Sequence, residues 1–350
     1  MVDFARNSPD VAALVWPNRS SWAAWRELRN KLEAFRAFAT ADRWMNDPTD
    51  AGGELVVRTK AVAAQSDFLG LWTTEGLGYY FAARALKGNE SVGGLLSCQP
   101  HGLPERSMIP LHTGMGLALA SDALRCLPRS TGGSGARGFV VQYLQRCREN
   151  SLDGYVGATL EALGLIARLL RPTMLTELDR QLREINAAWV ATFWHGVGRG
   201  LYFTPVNVLP CTSAAWPSLK KALSEPPHDV GRENALAGLS WAVALVNVRH
   251  PEVLELFLNR HRRSLPVSVS VANGIASAAA VWHAWAPHSN YLRQLCSHQP
   301  RGRDDATMTS WERNARTQCR PEFFTTVNQL WQQQRMDELF RVPVSANDKV

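Results

Sequence analysis

Read for the spacing of its apolar positions, the chain is helical along most of its length. From Ser20 to Met45, the residues Trp22, Trp25, Leu28, Leu32, Phe35 and Phe38 recur at intervals of three and four. Arg26, Glu27, Arg29, Lys31 and Glu33 fall between them, so the pattern predicts an amphipathic helix with its charges toward water. A further segment, 54–71, leads into the body of the chain. Gly138–Glu149, Met174–Val190, Trp216–Leu223 and Glu252–Arg262 show the same helical spacing. The breakers fall between these stretches: Asp47 to Gly53, Pro100, Pro104, Pro128 with Gly132 to Gly135, Pro172, Pro205, Pro210, Pro226, Pro227, Pro251, Pro266 and Pro287. Proline removes a backbone donor and glycine loosens the chain, so both mark connectors.

A short motif recurs through this pattern, reading polar, small, apolar, small before an apolar run. Its copies are Glu75-Gly76-Leu77-Gly78, Thr113-Gly114-Met115-Gly116, Asp153-Gly154-Tyr155-Val156, His195-Gly196-Val197-Gly198, Asn234-Ala235-Leu236-Ala237 and Asn273-Gly274-Ile275-Ala276. The first small residues lie at 76, 114, 154, 196, 235 and 274, successive gaps of 38 to 42 residues. A period of roughly 40 residues is the length of a helix pair with its turns. The expected fold is therefore all-α: about six helix-hairpin repeats forming a curved solenoid or a closed α/α ring, with extra N- and C-terminal helices. The first helix of each repeat is expected to start at the motif, over about 75–87, 112–126, 153–170, 195–204, 233–248 and 271–286. The expected domains are 1–53, an irregular segment and amphipathic helix, 54–300, the repeats, and 301–350, a basic loop and C-terminal helix. Arg301 to Arg320 is polar and aperiodic and reads as a mobile loop. The helix expected from Pro321 onward either caps the last repeat or docks a partner. Residues 1–17 read as irregular and 342–350 as disordered.

Two accounts fit the polar column Glu75, Thr113, Asp153, His195, Asn234 and Asn273. Thr, Asp and Asn are good helix N-caps, so a capping ladder explains four of the six. Alternatively, if the hairpins close on one rim, Glu75, Asp153 and His195 become candidate acid–base residues. Arg199, four residues after His195, is the only charged member of its own column and a candidate anion holder. Tyr202, Tyr79, His112 and Asn273 are further candidate binding residues. The glycines themselves need a packing reason, because each costs about 1 kcal/mol relative to alanine inside a helix.

Composition narrows the field. The net charge is +7, from 38 basic and 31 acidic residues, too mild for a dedicated nucleic-acid binder. The six cysteines, at 98, 126, 147, 211, 296 and 319, form no CxxC pair and read as free thiols of a cytoplasmic protein. Residues 267–286 carry no formal charge but several polar side chains, so they read as a buried helix rather than a membrane span. No phosphate-binding loop, full dinucleotide fingerprint, nucleophile elbow or His-x-x-x-His pair is present. No metal or cofactor is expected.

The order of these motifs resembles a bacterial family of unknown function associated with enediyne antibiotic biosynthesis gene clusters. The resemblance is carried by Phe68 to Leu71 with Glu75 to Gly78, by His112 to Ala120, and by Asp153 to Tyr155. It continues through His195 to Phe203, Asn234 to Ala244 and Asn273 to Ala279, spanning about residues 68–285. Val156 to Thr159 depart from the family's third motif, and Ala235 and Ala237 stand where glycine is usual. The resemblance implies a helical protein of a specialised-metabolite pathway, with no reaction to carry over. Two expectations follow. One is an accessory protein that binds a partner protein or a hydrophobic intermediate. The other is an enzyme with a pocket at the rim of a helical ring, using Asp153, Glu75, His195 and Arg199. Neither nucleic acid nor membrane insertion is expected.

Overall fold

The computed structural model describes residues 19–45, 55–64, 66–88, 92–98, 102–128, 133–204, 216–265, 269–301, 304–319 and 321–342. Every regular element among them is helical. In chain order these are α1 (Arg19–Met45), α2 (Leu55–Ala63), α3 (Asp67–Gly88), α4 (Met108–Cys126), α5 (Gly133–Asn150), α6 (Val156–Leu170), α7 (Leu175–Asn186) and α8 (Ala188–Tyr202). They continue as α9 (Trp216–Ser224), α10 (Asp229–Val246), α11 (Pro251–His261), α12 (Ser270–Trp285), α13 (Asn290–Ser297), α14 (Asp305–Asn314) and α15 (Pro321–Gln332). Single 3-10 turns cover Glu105–Ser107, Pro172–Met174, Arg316–Cys319 and Met336–Phe340. The stretch expected as a basic loop thus carries α14 and a turn. Asp304 caps α14 by accepting from Thr307 N (3.0 Å). The irregular start expected at 1–17, and all of the expected tail except Val342, lie outside the described residues.

The core is a row of helices, each packed on the next: α1 on α3, α3 on α4, α4 on α6, α6 on α8, α8 on α10 and α10 on α12. α8 lies in the interior of the row, buried from Val190 through Tyr202, with its polar His195 and Arg199 paired there. The last helix of the row also reaches α3. Trp285 Nε1 donates to Asp67 O (2.7 Å), and Trp282 stacks on Phe68 with ring centroids 6.0 Å apart. None of the described helices is long and apolar enough to cross a membrane.

The small-residue motifs form the contacts of this row. A Cβ placed on Gly114 would fall well under 3.0 Å from Glu75 O, and one on Gly78 would meet Leu111 O, so α3 and α4 touch backbone to backbone in both directions. Gly164 and Gly196 do the same for α6 and α8 through Phe193 O and Glu161 O. Gly198 and Gly238 repeat it for α8 and α10 through Ala235 O and His195 O. Close packing of this kind gains dispersion and leaves no room for a side chain.

These contacts lie inside the helices, which corrects the capping account. α3 begins eight residues before Glu75, and α8 seven before His195. Thr113 Oγ1 donates back to Ile109 O (3.0 Å), as a mid-helix threonine does. The third copy is also out of register. Asp153-Gly154 is a turn before α6, with Gly154 at φ +82° beneath Gln334. The stretch that packs is Glu161-Ala162-Leu163-Gly164, so the small-residue contacts are less evenly spaced than the motif positions suggested.

α1 faces the opposite way from its aromatic pattern. Ala23, Ala24, Ala34, Ala37 and Ala41 point inward, while Trp22 (66% exposed) and Trp25 (44%) point out with Leu32 and Phe35. The reason is again close approach, since Gly76 of α3 sits against Phe38 O and the Ala41 methyl. The inward polar residues are matched there. Lys31 Nζ donates to Glu27 (2.8 Å) and lies over the Tyr202 ring, and Asn30 Nδ2 donates to Asn247 Oδ1 (3.0 Å).

Candidate functional site

The motif column brings one set of charged side chains into the middle of the row. Arg199 of α8 donates from Nη1 to Glu161 Oε2 of α6 (3.0 Å) and from Nη2 to Glu75 of α3. His195, one helical turn before Arg199, places Nδ1 3.1 Å from Glu161 Oε1. None of the four side chains is more than 6% exposed. The Arg199 guanidinium lies 5.0 Å from the Trp241 ring centroid, which adds a cation–π contact from α10. Phe340 closes the cluster, its ring edge-on to His195 (5.8 Å) and tilted against Trp241 (6.3 Å).

The electrostatics follow from burial. For Glu161, desolvation favours the neutral acid, but the Arg199 charge and the hydrogen bonds from His195 and Arg199 outweigh it, holding the carboxyl below its usual range. For Glu75, desolvation wins over Arg199, with added repulsion from Glu161, so its carboxyl is pushed up. One guanidinium is therefore shared by two unequal carboxyls. Among the described residues, His195 Nε2 and Arg199 Nε are buried without a hydrogen-bond partner. Chemically, the set has an acid, a base and a cation, but within packed side chains.

The other expected residues are placed elsewhere. Asp153 is exposed in the turn before α6 and does not join Glu75 and His195; a glycine needed for a left-handed turn mimicked one needed for helix contact. His112 is fully buried, with Nδ1 donating to Met108 O (2.7 Å) and Nε2 accepting from Leu152 N (3.1 Å). Both ring nitrogens are used in holding a turn, and burial pushes its pKa down to about 4. Tyr202 OH accepts from Asn247 Nδ2 (2.8 Å) in the network beneath α1. Tyr79 packs its ring on Phe38 and Tyr80. Asn273 is half-buried on α12, and its Oδ1 has no partner among the described residues.

Glu161, Trp241 and Phe340 are the members that sequence reading missed. The polar–small–apolar–small pattern of Glu161 to Gly164 was a usable signal for the first. A separate groove of about 980 Å³ lies where the ends of α3 and α4 meet α5, lined by Leu86, Ala123, Leu127, Phe139 and Arg146 among others. Among the described residues, no group of three or more His, Cys, Asp or Glu side chains is arranged to hold a metal ion. No family model, curated protein or solved structure matches the chain.

Proposed function

We propose that this is a helical binding protein of a bacterial specialised-metabolite pathway, with the outer face of α1 as the docking surface for a partner protein. The observation that carries this reading is the exposed stripe of Trp22, Trp25, Leu32 and Phe35. Arg29 and Arg36 are exposed on the same helix. Tryptophan and arginine are the residue types that dominate binding hot spots, and contiguous exposed apolar surface marks interaction sites. The buried Glu27–Lys31 and Asn30–Asn247 pairs favour a helix already rigid before its partner arrives. The pathway assignment rests on the motif resemblance alone. We read the row from α3 to α12 as a closed α/α ring of repeats, a reading supported by the return contacts of Trp282 and Trp285.

The test is Trp22→Ser/Trp25→Ser in a deletion strain of a producing organism. Exposed substitutions of this kind change stability by about 0.5 kcal/mol or less, so the variant should melt like the wild type. Pathway output should nevertheless fall. Full restoration of output by the folded variant refutes the docking surface. The groove beside α5 supports a second reading, in which a hydrophobic intermediate is the ligand; direct binding of pathway extracts that survives the double substitution distinguishes it. The enzyme reading requires Phe340 to leave His195, and the close packing of the cluster weighs against it.

A further inference from the structure

Cys296 lies in the last turns of α13, and Cys319 ends the Arg316–Cys319 turn. Both are half-buried, and their thiols hydrogen bond to each other. Arg316 fastens the two segments together by donating to His298 O (3.0 Å) and to Gln299 Oε1 (3.2 Å). The turn also packs directly on α13 and α12. The other described cysteines are placed differently. Cys147 is fully buried in α5, whereas Cys98 and Cys126 are exposed.

We propose that Cys296 and Cys319 form a dithiol–disulfide couple that a low-molecular-weight disulfide oxidises, bonding α13 to the turn that precedes α15. A disulfide spans about 2 Å between sulfurs, so two thiols already in contact need only a small side-chain movement to close it. Cys296 is the entry thiol. The Cys319 thiol donates to its sulfur and holds it below the usual thiol range despite burial, while that same bond and burial push Cys319 up. The Cys296 thiolate attacks one sulfur of the reagent, forms a mixed disulfide and expels one thiolate. Cys319 passes its proton to the expelled thiolate, then attacks Cys296 Sγ and releases the second thiolate. The protein loses two hydrogens and two electrons, and the reagent leaves as two thiols. This couple is independent of the docking surface proposed above.

The experiment treats the full-length native protein with oxidised glutathione, blocks remaining thiols by alkylation, and maps tryptic peptides by mass spectrometry. The expected product joins peptide 294–301 to peptide 317–335, in which Pro321 protects the bond after Arg320 from trypsin. Exposed Cys98 and Cys126 should retain glutathione adducts, and a reductant should reverse the cross-link. In Cys319→Ser the cross-link should vanish and a glutathione adduct should accumulate on Cys296. The proposal is overturned if wild-type protein keeps a stable glutathione adduct on Cys296, or if either cysteine is linked to Cys211 instead. It is equally overturned if Cys319→Ser leaves Cys296 unmodified.

Discussion

Arg199→Met removes the single cation between two buried carboxyls while keeping much of the side chain's volume. Arg199 is 2% exposed, Glu75 5% and Glu161 0%, so water is not at hand to replace the lost charge. Breaking a buried ion pair by removing one partner typically costs about 3–5 kcal/mol, because the remaining charge is stranded. Here two carboxyls are stranded beside each other, which places the expected loss at the upper end of that range. Against a usual total of about 5–15 kcal/mol, the variant should be only marginally folded. Urea denaturation should show a lower midpoint with an unchanged slope. The deficit should also depend on pH. Without Arg199, both carboxyls have raised pKa values in the folded state, and such groups add stability below their unfolded pKa that is lost as pH rises. The deficit should therefore narrow on acidification toward pH 5 and widen toward pH 8. Adding Glu75→Gln and Glu161→Gln to Arg199→Met should recover most of the loss, since neutral packing in place of a buried ion cluster is often tolerated. A single Arg199→Met variant that loses less than about 1 kcal/mol would show that the cluster is hydrated, and the packing argument would fail.

Gly114→Ala should cost about 1–3 kcal/mol or more, because the new methyl meets Glu75 O and the backbone there has no side chain to yield; thermal melting checks it. His112 has a folded pKa depressed to about 4, so its contribution is present above the unfolded value near 6.5 and is lost as pH falls between the two. The loss should reach about 3 kcal/mol by pH 4, and a His112→Gln variant should show a flatter acid limb in denaturant titrations at stepped pH. Asp337 is pushed up to about 6 by burial, although Gly157 N donates to its Oδ1 (2.6 Å). Its ionised form works against folding as pH rises through 6, so Asp337→Asn should raise the melting temperature at pH 8 and change little at pH 4.5.

Much of the helical order was legible because breakers and periodicity agreed, as at Pro251 opening α11 and Pro321 opening α15. Of the charged candidates read from the motif, Glu75, His195 and Arg199 lie together, whereas Asp153, grouped with them in the sequence, sits apart in the turn before α6. Three things were not legible. The spacing points to Gly154 for the third motif while the contact is made by Gly164, since a turn glycine and a contact glycine are the same letter. α1 was turned inside out, because apolar period assumes that the largest side chains are the buried ones. Here alanines and paired polar groups are buried so that α1 can approach Gly76, and the tryptophans are left outside. Phe340 was out of reach altogether, as it meets His195 across 145 residues of chain through a turn with no motif.

The reciprocal glycine contacts constrain how such a sequence can vary. In an ordinary core, an enlarged residue on one helix can be accommodated by a shortened residue on its neighbour. Between α8 and α10, the atom facing Gly198 is the carbonyl of Ala235, and the one facing Gly238 is the carbonyl of His195. Main-chain atoms cannot be mutated, so no second-site change at the contact can rescue the first. Divergence is then channelled to positions away from these seams, while the spacing between the central helices stays fixed by the polypeptide itself.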